Sequence, residues 1–369
     1  MRRIDIVDDN VYKRLAERLD ALPNGFPPTE DGIELRLLAR LFTPEEAALG
    51  AQLRLTPESV DQVAERLGVE SRSLRRRLKQ MARRGLIKAE RTQRGMAYAI
   101  MPFVVGIYEM QAGSIDADLA LMFEKYYRRA FGQVLAVWPQ VHRVVPVGES
   151  VRSDIELRPF ESAVQIVDNA RAWGVLDCIC RVQKALVGDP CDHPLDVCMA
   201  FSETPGAFDH SSVVRALTHQ EAIVTLRRAA EAGLVHSVSN TQEGTWYICN
   251  CCTCSCGILR GIADLGIANV IARSAFVNTV EDDPESASAC VACGTCMESC
   301  PFGALSLEGV AQVDGVRCVG CGVCVLICPV NALRLVRRPE DEVMPPPVCA
   351  EDWLEQRARD RGLDLAEVL

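Results

Sequence analysis

Apolar positions recur at helical spacing from the first third of the chain onward. Ile33, Leu35, Leu37, Leu38 and Leu41 mark one helix. Thr56-Pro57-Glu58 opens a second, with Val60, Val63, Ala64 and Leu67 on one face and Gly68 at its end. Ser71 caps a third that carries Leu74, Leu78 and Met81 and closes at Gly85. Two short segments, Leu86-Ile87-Lys88-Ala89-Glu90 and Met96-Ala97-Tyr98-Ala99-Ile100, then predict a hairpin around Thr92-Gln93-Arg94-Gly95.

That order over residues 31–100 is the order of a winged helix-turn-helix, with the hairpin tip as the wing. Further along, Leu119, Leu121 and Phe123 predict the buried face of an amphipathic helix whose Asp116, Asp118 and Glu124 face solvent. A helix is expected from near Phe160 to Cys178-Ile179-Cys180-Arg181. Thr218 and Glu221 have the spacing of a capping box and open a helix with Ala222, Ile223, Leu226 and Ala229, closed by Gly233. A strand is expected through Trp246-Tyr247-Ile248, and Trp138, Trp173 and Trp246 are expected in the core. Residues 337–348 contain Pro345-Pro346-Pro347 and read as a linker before a short C-terminal helix. The chain therefore reads as a multi-domain α+β protein: winged helix 31–100, cysteine-rich mixed α/β region 101–282, a third domain 283–337, and linker plus helix 338–369.

Charge changes the picture in one place. Residues 70–94 carry ten basic and two acidic side chains, whereas the whole chain has a net charge of −10. A small basic module is attached to an acidic body. Arg72, Arg75, Arg76, Arg77 and Lys79 on the third helix form a candidate phosphate-binding surface. Winged helices also dock onto proteins, so DNA binding and a docking or structural role both stay open. No apolar run approaches the roughly 18 residues of a membrane span, and the stretch near Tyr98 to Ile107 is interrupted by Pro102. Met1-Arg2-Arg3-Ile4-Asp5, followed by Asp8 and Asp9, cannot serve as an export signal. There is no G-x-G-x-x-G or Walker A run, so neither a nicotinamide nor an ATP site is supported.

Cysteine is the unusual component. The chain has 18, none before Cys178. Thiols at this density without an export signal point to metal binding and a cytoplasmic location rather than to disulfides. Residues 290–301 read C-V-A-C-G-T-C-M-E-S-C-P and residues 318–329 read C-V-G-C-G-V-C-V-L-I-C-P. Both are C-x2-C-x2-C-x3-C-P, and two-residue gaps let a tight loop set three thiolates around one iron–sulfur cube. Gly294, Gly320 and Gly322 relieve crowding in those loops. Zinc sites use four ligands in two pairs rather than two runs of four with matched prolines.

Residues 283–337 resemble the bacterial two-[4Fe–4S] ferredoxin domain. The tails Pro301-Phe302-Gly303-Ala304-Leu305 and Pro329-Val330-Asn331-Ala332-Leu333 repeat one pattern, which suggests two pseudo-symmetric halves. In such domains the fourth cysteine of each run serves the other cluster. The resemblance therefore implies Cys290, Cys293, Cys296 and Cys328 for one cluster, and Cys318, Cys321, Cys324 and Cys300 for the other.

Upstream, Cys178-Ile179-Cys180-Arg181, then Cys191 and Cys198, then Cys249-Asn250-Cys251-Cys252-Thr253-Cys254-Ser255-Cys256 complete the pattern. Together with Pro102-Phe103-Val104-Val105-Gly106-Ile107-Tyr108-Glu109, this arrangement resembles a prokaryotic family of 4Fe–4S-binding proteins with a C-terminal ferredoxin domain. The resemblance spans about residues 100–337 and implies iron–sulfur binding. Ser255 interrupts the final run. Cys251 and Cys252 point apart in extended backbone and are not expected on the same cluster. The preferred grouping is Cys178, Cys180, Cys191 and Cys198, with Cys249, Cys252, Cys254 and Cys256 as a second set. One or two further iron–sulfur clusters, zinc, or a catalytic thiol pair all remain open there. His193 reads as a loop histidine despite lying near Cys191, and Cys349 is unassigned.

The leading expectation is an intracellular electron-transfer protein with two [4Fe–4S] clusters, an additional metal centre in the middle region, and a protein redox partner. A redox-responsive winged-helix regulator bound to DNA and a reductase using the middle centre are the alternatives. No membrane insertion is expected, and oligomeric state is not readable from the sequence.

Overall fold

The computed structural model describes residues 9–93, 95–147, 150–151, 154–211 and 213–369. Met1–Asp8, the segment read for an export signal, and Arg94 at the hairpin tip lie outside the described residues. The chain forms two compact units. One takes the residues up to Trp138 with Val182–Asp189 and Leu354–Leu369; the other takes Pro139–Arg181 and Pro190–Trp353.

In the first unit, helices Asp9–Asp20, Ile33–Leu41, Pro44–Gly50, Val60–Leu67 and Ser71–Arg83 bury Leu15, Leu37, Leu38, Leu53, Val63 and Leu78 completely. A small antiparallel sheet follows, made from β1 (Glu58–Ser59), β2 (Lys88–Thr92) and β3 (Gly95–Ala99) in the order β1-β3-β2. The second predicted helix starts later than its Thr56-Pro57 signal. Glu58 and Ser59 pair instead with Tyr98 and Ala97, and Ser59 and Gln62 cap the helix reciprocally through side chain and backbone. Ser71 likewise lies inside the third helix, with Glu70 at the cap position. Helix Ala117–Tyr126 buries Leu119 and Phe123 as expected, but Leu121 is exposed and Glu124 is buried, where it accepts a hydrogen bond from Gln183. Arg357 on helix Ala350–Arg361 is fully buried and donates to the carbonyls of Pro23, Val134 and Val137. The tail is thus divided: Leu354–Leu369 is a structural part of the N-terminal unit, and the linker before it belongs to the second.

The second unit holds a six-stranded antiparallel sheet. Its strands are β4 (His142–Val144), β5 (Ala172–Leu176), β6 (Cys198–Ser202), β7 (Arg215–Leu217), β8 (Val235–Ser239) and β9 (Tyr247–Cys251), in the order β4-β8-β9-β6-β5-β7. Helices Ala163–Asn169 and His219–Glu231 bury Ile166, Ala222 and Leu226 against Met199, Phe201, Val238 and Ile248. The Thr218/Glu221 capping box and the left-handed Gly233 close the second of these helices as expected.

The helix expected from Phe160 to Arg181 does not form as one element. It stops at Asn169, β5 intervenes, and Cys178 precedes a new helix, Ile179–Leu186. Within β5, Gly174 lies where an added Cβ would sit 2.3 Å from a Val214 methyl and 3.1 Å from the Phe208 ring. That close backbone approach suits a glycine in a strand. Trp173 packs against the sheet core and donates to the Val167 carbonyl, whereas Trp138 and Trp246 are exposed rather than core residues.

Beyond the sheet, β10 (Phe276–Val280) pairs antiparallel with β13 (Leu333–Arg337). Between them lie β11 (Leu305–Glu308) and β12 (Val310–Val313), which pair with each other, and the short helices Thr295–Glu298 and Val323–Leu326. No helix among the described residues is long and apolar enough to cross a membrane.

Candidate metal centres

The two C-x2-C-x2-C-x3-C-P runs are offset by 28 residues, and their backbones repeat as their cysteines do. Gly294 and Gly322, at equivalent positions, have φ of 79° and 80°. Ala292 and Gly320, also equivalent, have φ of 57° and 70°, and Gly303 and Asn331 have 57° and 56°. Positive φ favours glycine and is next best tolerated by asparagine, so Ala292 marks a position where geometry outweighs residue preference. At Gly320 space is also needed, because a Cβ there would lie 2.2 Å from the Phe276 carbonyl oxygen.

Each repeat aims backbone amides at sulfur. Ala304 N–H donates to Cys300 Sγ at 3.3 Å and the equivalent Ala332 N–H to Cys328 Sγ at 3.2 Å. Ala311 N–H reaches Cys290 Sγ at 3.4 Å. Donors placed this way stabilise a thiolate that carries cluster charge. Cys318, Cys321 and Cys324 line one cavity together with Cys300 from the other run. Cys296 has Cys290, Cys293 and Cys328 as its thiol neighbours. Cys296, Cys324, Ala311 and Leu333 share a small apolar core. Burial pushes the Cys321 thiol up to about 12 and raises that of Cys324 too, while hydrogen bonding from Thr295 lowers that of exposed Cys293. The donor set, amide-to-sulfur bonds and positive-φ turns all fit a four-iron cluster in each half.

Asn278 was not singled out by sequence. Its buried Nδ2 donates to Cys324 Sγ at 3.2 Å from β10, 46 residues upstream of that thiol. Such a bond stabilises the more negative, reduced state. Asn278→Leu is expected to lower the potential of the cluster at Cys324, with a differential of about 1 kcal/mol corresponding to about 43 mV for one electron. Potentiometric EPR titration measures it, with the other cluster as internal reference. An unchanged potential would remove Asn278 from this role.

The middle-region thiols assemble from strand register. Met199 and Ile248 are paired and face the helices, so the alternation of side chains puts Cys198 and Cys249, and two residues on Cys251, on the opposite face. There, six thiols form a ring. Cys178 lies beside Cys180 and Cys198, Cys180 beside Cys256, Cys198 beside Cys249, and Cys251 beside Cys249 and Cys256. Hydrogen bonds from Cys180 and Cys198 hold the Cys178 thiol well below its ordinary value, and those from Cys249 and Cys256 bring Cys251 to about 6.

The other three middle-region cysteines meet a histidine. One donor atom from each of Cys191, His193, Cys252 and Cys254 lies within 4.8 Å of all the others, and no second group this tight occurs among the described residues. Cys191 and Cys252 sulfurs are 4.0 Å apart, Cys254 Sγ is 3.7 Å from His193 Nδ1, and the Ser255 hydroxyl donates to Cys191 at 3.3 Å. Burial opposes ionisation of Cys191, and hydrogen bonds led by that of Ser255 outweigh it. Burial raises Cys254 to about 12. The structure thus places Cys191 with Cys252 and Cys254 instead of with Cys178, Cys180 and Cys198. Adjacent Cys251 and Cys252 fall in different groups. His193 joins a thiol group rather than a plain loop, and its only signal in the sequence was its spacing from Cys191.

Arg181 is buried near both groups. It donates to the carbonyls of Pro194 and Asn250, while its Nε has no hydrogen-bond partner among the described residues. Burial works against its charge, and the Cys178, Cys252 and Cys251 thiols favour it. On the first unit, Arg72, Arg75, Arg76, Arg77 and Lys79 are all exposed on helix Ser71–Arg83, opposite buried Leu74, Leu78 and Met81.

Residues 289–332 match the 4Fe-4S dicluster domain family. No curated protein and no solved structure matches the chain. The chain is therefore an iron–sulfur protein with a C-terminal ferredoxin-like domain in a mixed α+β fold, and its middle-region Cys/His group is able to hold a metal.

Proposed function

We propose that the chain transfers electrons between protein partners through two [4Fe–4S] clusters, with a further metal centre in its middle region. The carrying observation is that the dicluster match falls on both cysteine runs, whose turns and amide-to-sulfur bonds repeat at the same 28-residue offset. Cys290, Cys293, Cys296 and Cys328 hold one cluster, and Cys318, Cys321, Cys324 and Cys300 the other. Each bound cluster supplies a one-electron couple. The chain's own residues anchor sulfur, aim N–H groups at it and keep Cys321 and Cys324 out of bulk water. A cytoplasmic location belongs to this reading, since a reducing compartment keeps thiols available as metal ligands.

The test is anaerobic reduction of the full chain followed by EPR and iron quantification. Two spin-coupled reduced clusters are expected, as are rapid oxidation by a protein acceptor and no turnover of small substrates by the chain alone. An iron-free chain, or clusters that no low-potential donor reduces, would overturn the reading.

A second reading rests on the exposed basic helix. Helices Val60–Leu67 and Ser71–Arg83 followed by the β2–β3 hairpin support a winged helix. Six exposed cations on one element, Arg72, Arg75, Arg76, Arg77, Lys79 and Arg83, suit a polyanion, so a redox-responsive DNA-binding regulator is the alternative function.

A further inference from the structure

The middle-region thiols divide into two sets of different size and spacing, and the spacing speaks to what each can hold. A zinc ion with four ligands at about 2.0–2.3 Å brings its donor atoms to within about 4 Å of one another. Cys191, His193, Cys252 and Cys254 meet that limit nearly as they stand, all within 4.8 Å. A four-iron cube is larger, and its thiolates surround it at wider separations. The dicluster cysteines accordingly form no group as tight as this one among the described residues. In the six-thiol ring each sulfur has two neighbours around the rim, but no three of them lie within 4.8 Å of one another, so the ring too offers no single point for one small ion.

Chemistry separates the two sets in the same direction. The ring is all sulfur, the donor preferred by iron–sulfur clusters. Cys178, Cys251 and Cys256 are buried and Cys180, Cys198 and Cys249 half-buried. The tight set mixes three sulfurs with an imidazole, a combination common in closed zinc sites. Its Cys254 is exposed and its Ser255 hydroxyl holds Cys191 in place. Arg181, buried beside thiols of both sets, offsets the negative charge that metal-bound thiolates would bring into the interior.

We propose that the middle region contains two separate centres: one [4Fe–4S] cluster held by four of the six ring thiols Cys178, Cys180, Cys198, Cys249, Cys251 and Cys256, and one zinc ion held by Cys191, His193, Cys252 and Cys254. This deepens the middle-region part of the proposed function and rests on it. The zinc ion ties the loop after β9 to the loop before β6, and the cluster lies against the sheet face opposite the helices. Because the ring has two thiols more than a cube needs, single substitutions there are buffered by a neighbouring sulfur.

The experiment is metal and sulfide analysis of the full chain purified anaerobically, read against three variants. Wild type is expected to hold about 12 irons, four per cluster, with about one zinc. Cys178→Ser/Cys180→Ser/Cys198→Ser leaves three ring thiols, so iron should fall to about 8 with zinc retained. Cys254→Ser/His193→Ala, at the more exposed set, should lose zinc and keep about 12 irons. Cys321→Ser reports on the dicluster domain independently. Wild type with about 8 irons, a ring variant that loses zinc but not iron, or a tight-set variant that loses four irons would each overturn the proposal. Should the ring variant fail to fold, wild-type metal counts and the tight-set variant still decide it. Loss of iron from Cys321→Ser with none assignable to the ring would overturn this inference alone, whereas a chain without iron would overturn the electron-transfer reading as well.

Discussion

Cys300→Ser is expected to abolish the same cluster as Cys321→Ser, although Cys300 belongs to the other cysteine run. Each variant should lose about four irons per chain and one of the two reduced-cluster EPR signals, with the other signal kept. The reasoning starts from the cavity shared by Cys300, Cys318, Cys321 and Cys324. Burial raises the Cys321 thiol to about 12, so at neutral pH it is a protonated, apolar side chain until a metal displaces the proton. Serine cannot give up its proton to iron on comparable terms. Its hydroxyl, placed where Cys321 is 7% exposed, adds a polar group to an apolar site. Cys293→Ser is the contrasting variant, since Cys293 neighbours Cys296 with Cys290 and Cys328. Iron and sulfide analysis with EPR on all three variants makes the comparison. Were Cys300→Ser to extinguish the signal that Cys293→Ser extinguishes, cluster ligation would follow the runs rather than cross between them.

Replacing Arg75, Arg76 and Arg77 together by alanine is expected to weaken duplex binding by about 10²–10³-fold at 0.1 M salt if the basic helix contacts phosphates. Each phosphate contact contributes about 0.9 to the slope of log affinity against log salt, so three lost contacts flatten that slope by nearly 3. The three side chains are exposed and the helix is anchored from its other face by Leu74, Leu78 and Met81, so the fold should survive their removal. Fluorescence anisotropy across a salt series measures both affinity and slope. Wild type that binds no genomic fragment at low salt would rule out the regulator, and a variant with an unchanged slope would move the contact surface off this helix.

What was legible in the sequence was what is local. The eight dicluster cysteines declare themselves because one loop supplies three ligands at fixed two-residue gaps. The capping box at Thr218 and Glu221 is likewise contained within a single turn. The middle region resisted because its sites are made by strand register. Cys198 meets Cys249 across 51 positions through β6–β9 pairing, and His193 finds Cys254 across 61. Neither separation leaves a spacing to read. The strand inside the expected Phe160–Arg181 helix is equally non-local, since the side chains packed against Gly174 come from Phe208 and Val214. Glu124 was assigned to solvent because its buried partner, Gln183, lies 59 residues away.

The antiparallel pairing of β10 with β13 has a consequence for how this part of the protein can change. The chain enters the dicluster segment along Phe276–Val280 and leaves it along Leu333–Arg337, with Phe276 opposite Arg337 and Val280 opposite Leu333. Entry and exit are held side by side by a five-rung ladder, and the segment between them is pinned a second time where Ser274 N–H donates to the Val319 carbonyl and Val147 N–H to the Cys321 carbonyl, each at 3.0 Å. A segment mounted like this can change length only away from Val319–Cys321, because a shift there would break the Ser274 and Val147 bonds that seat the second cysteine run. The second cysteine run is thus part of the body of its unit, while the β11–β12 hairpin at Leu305–Val313 is where the segment has room to vary.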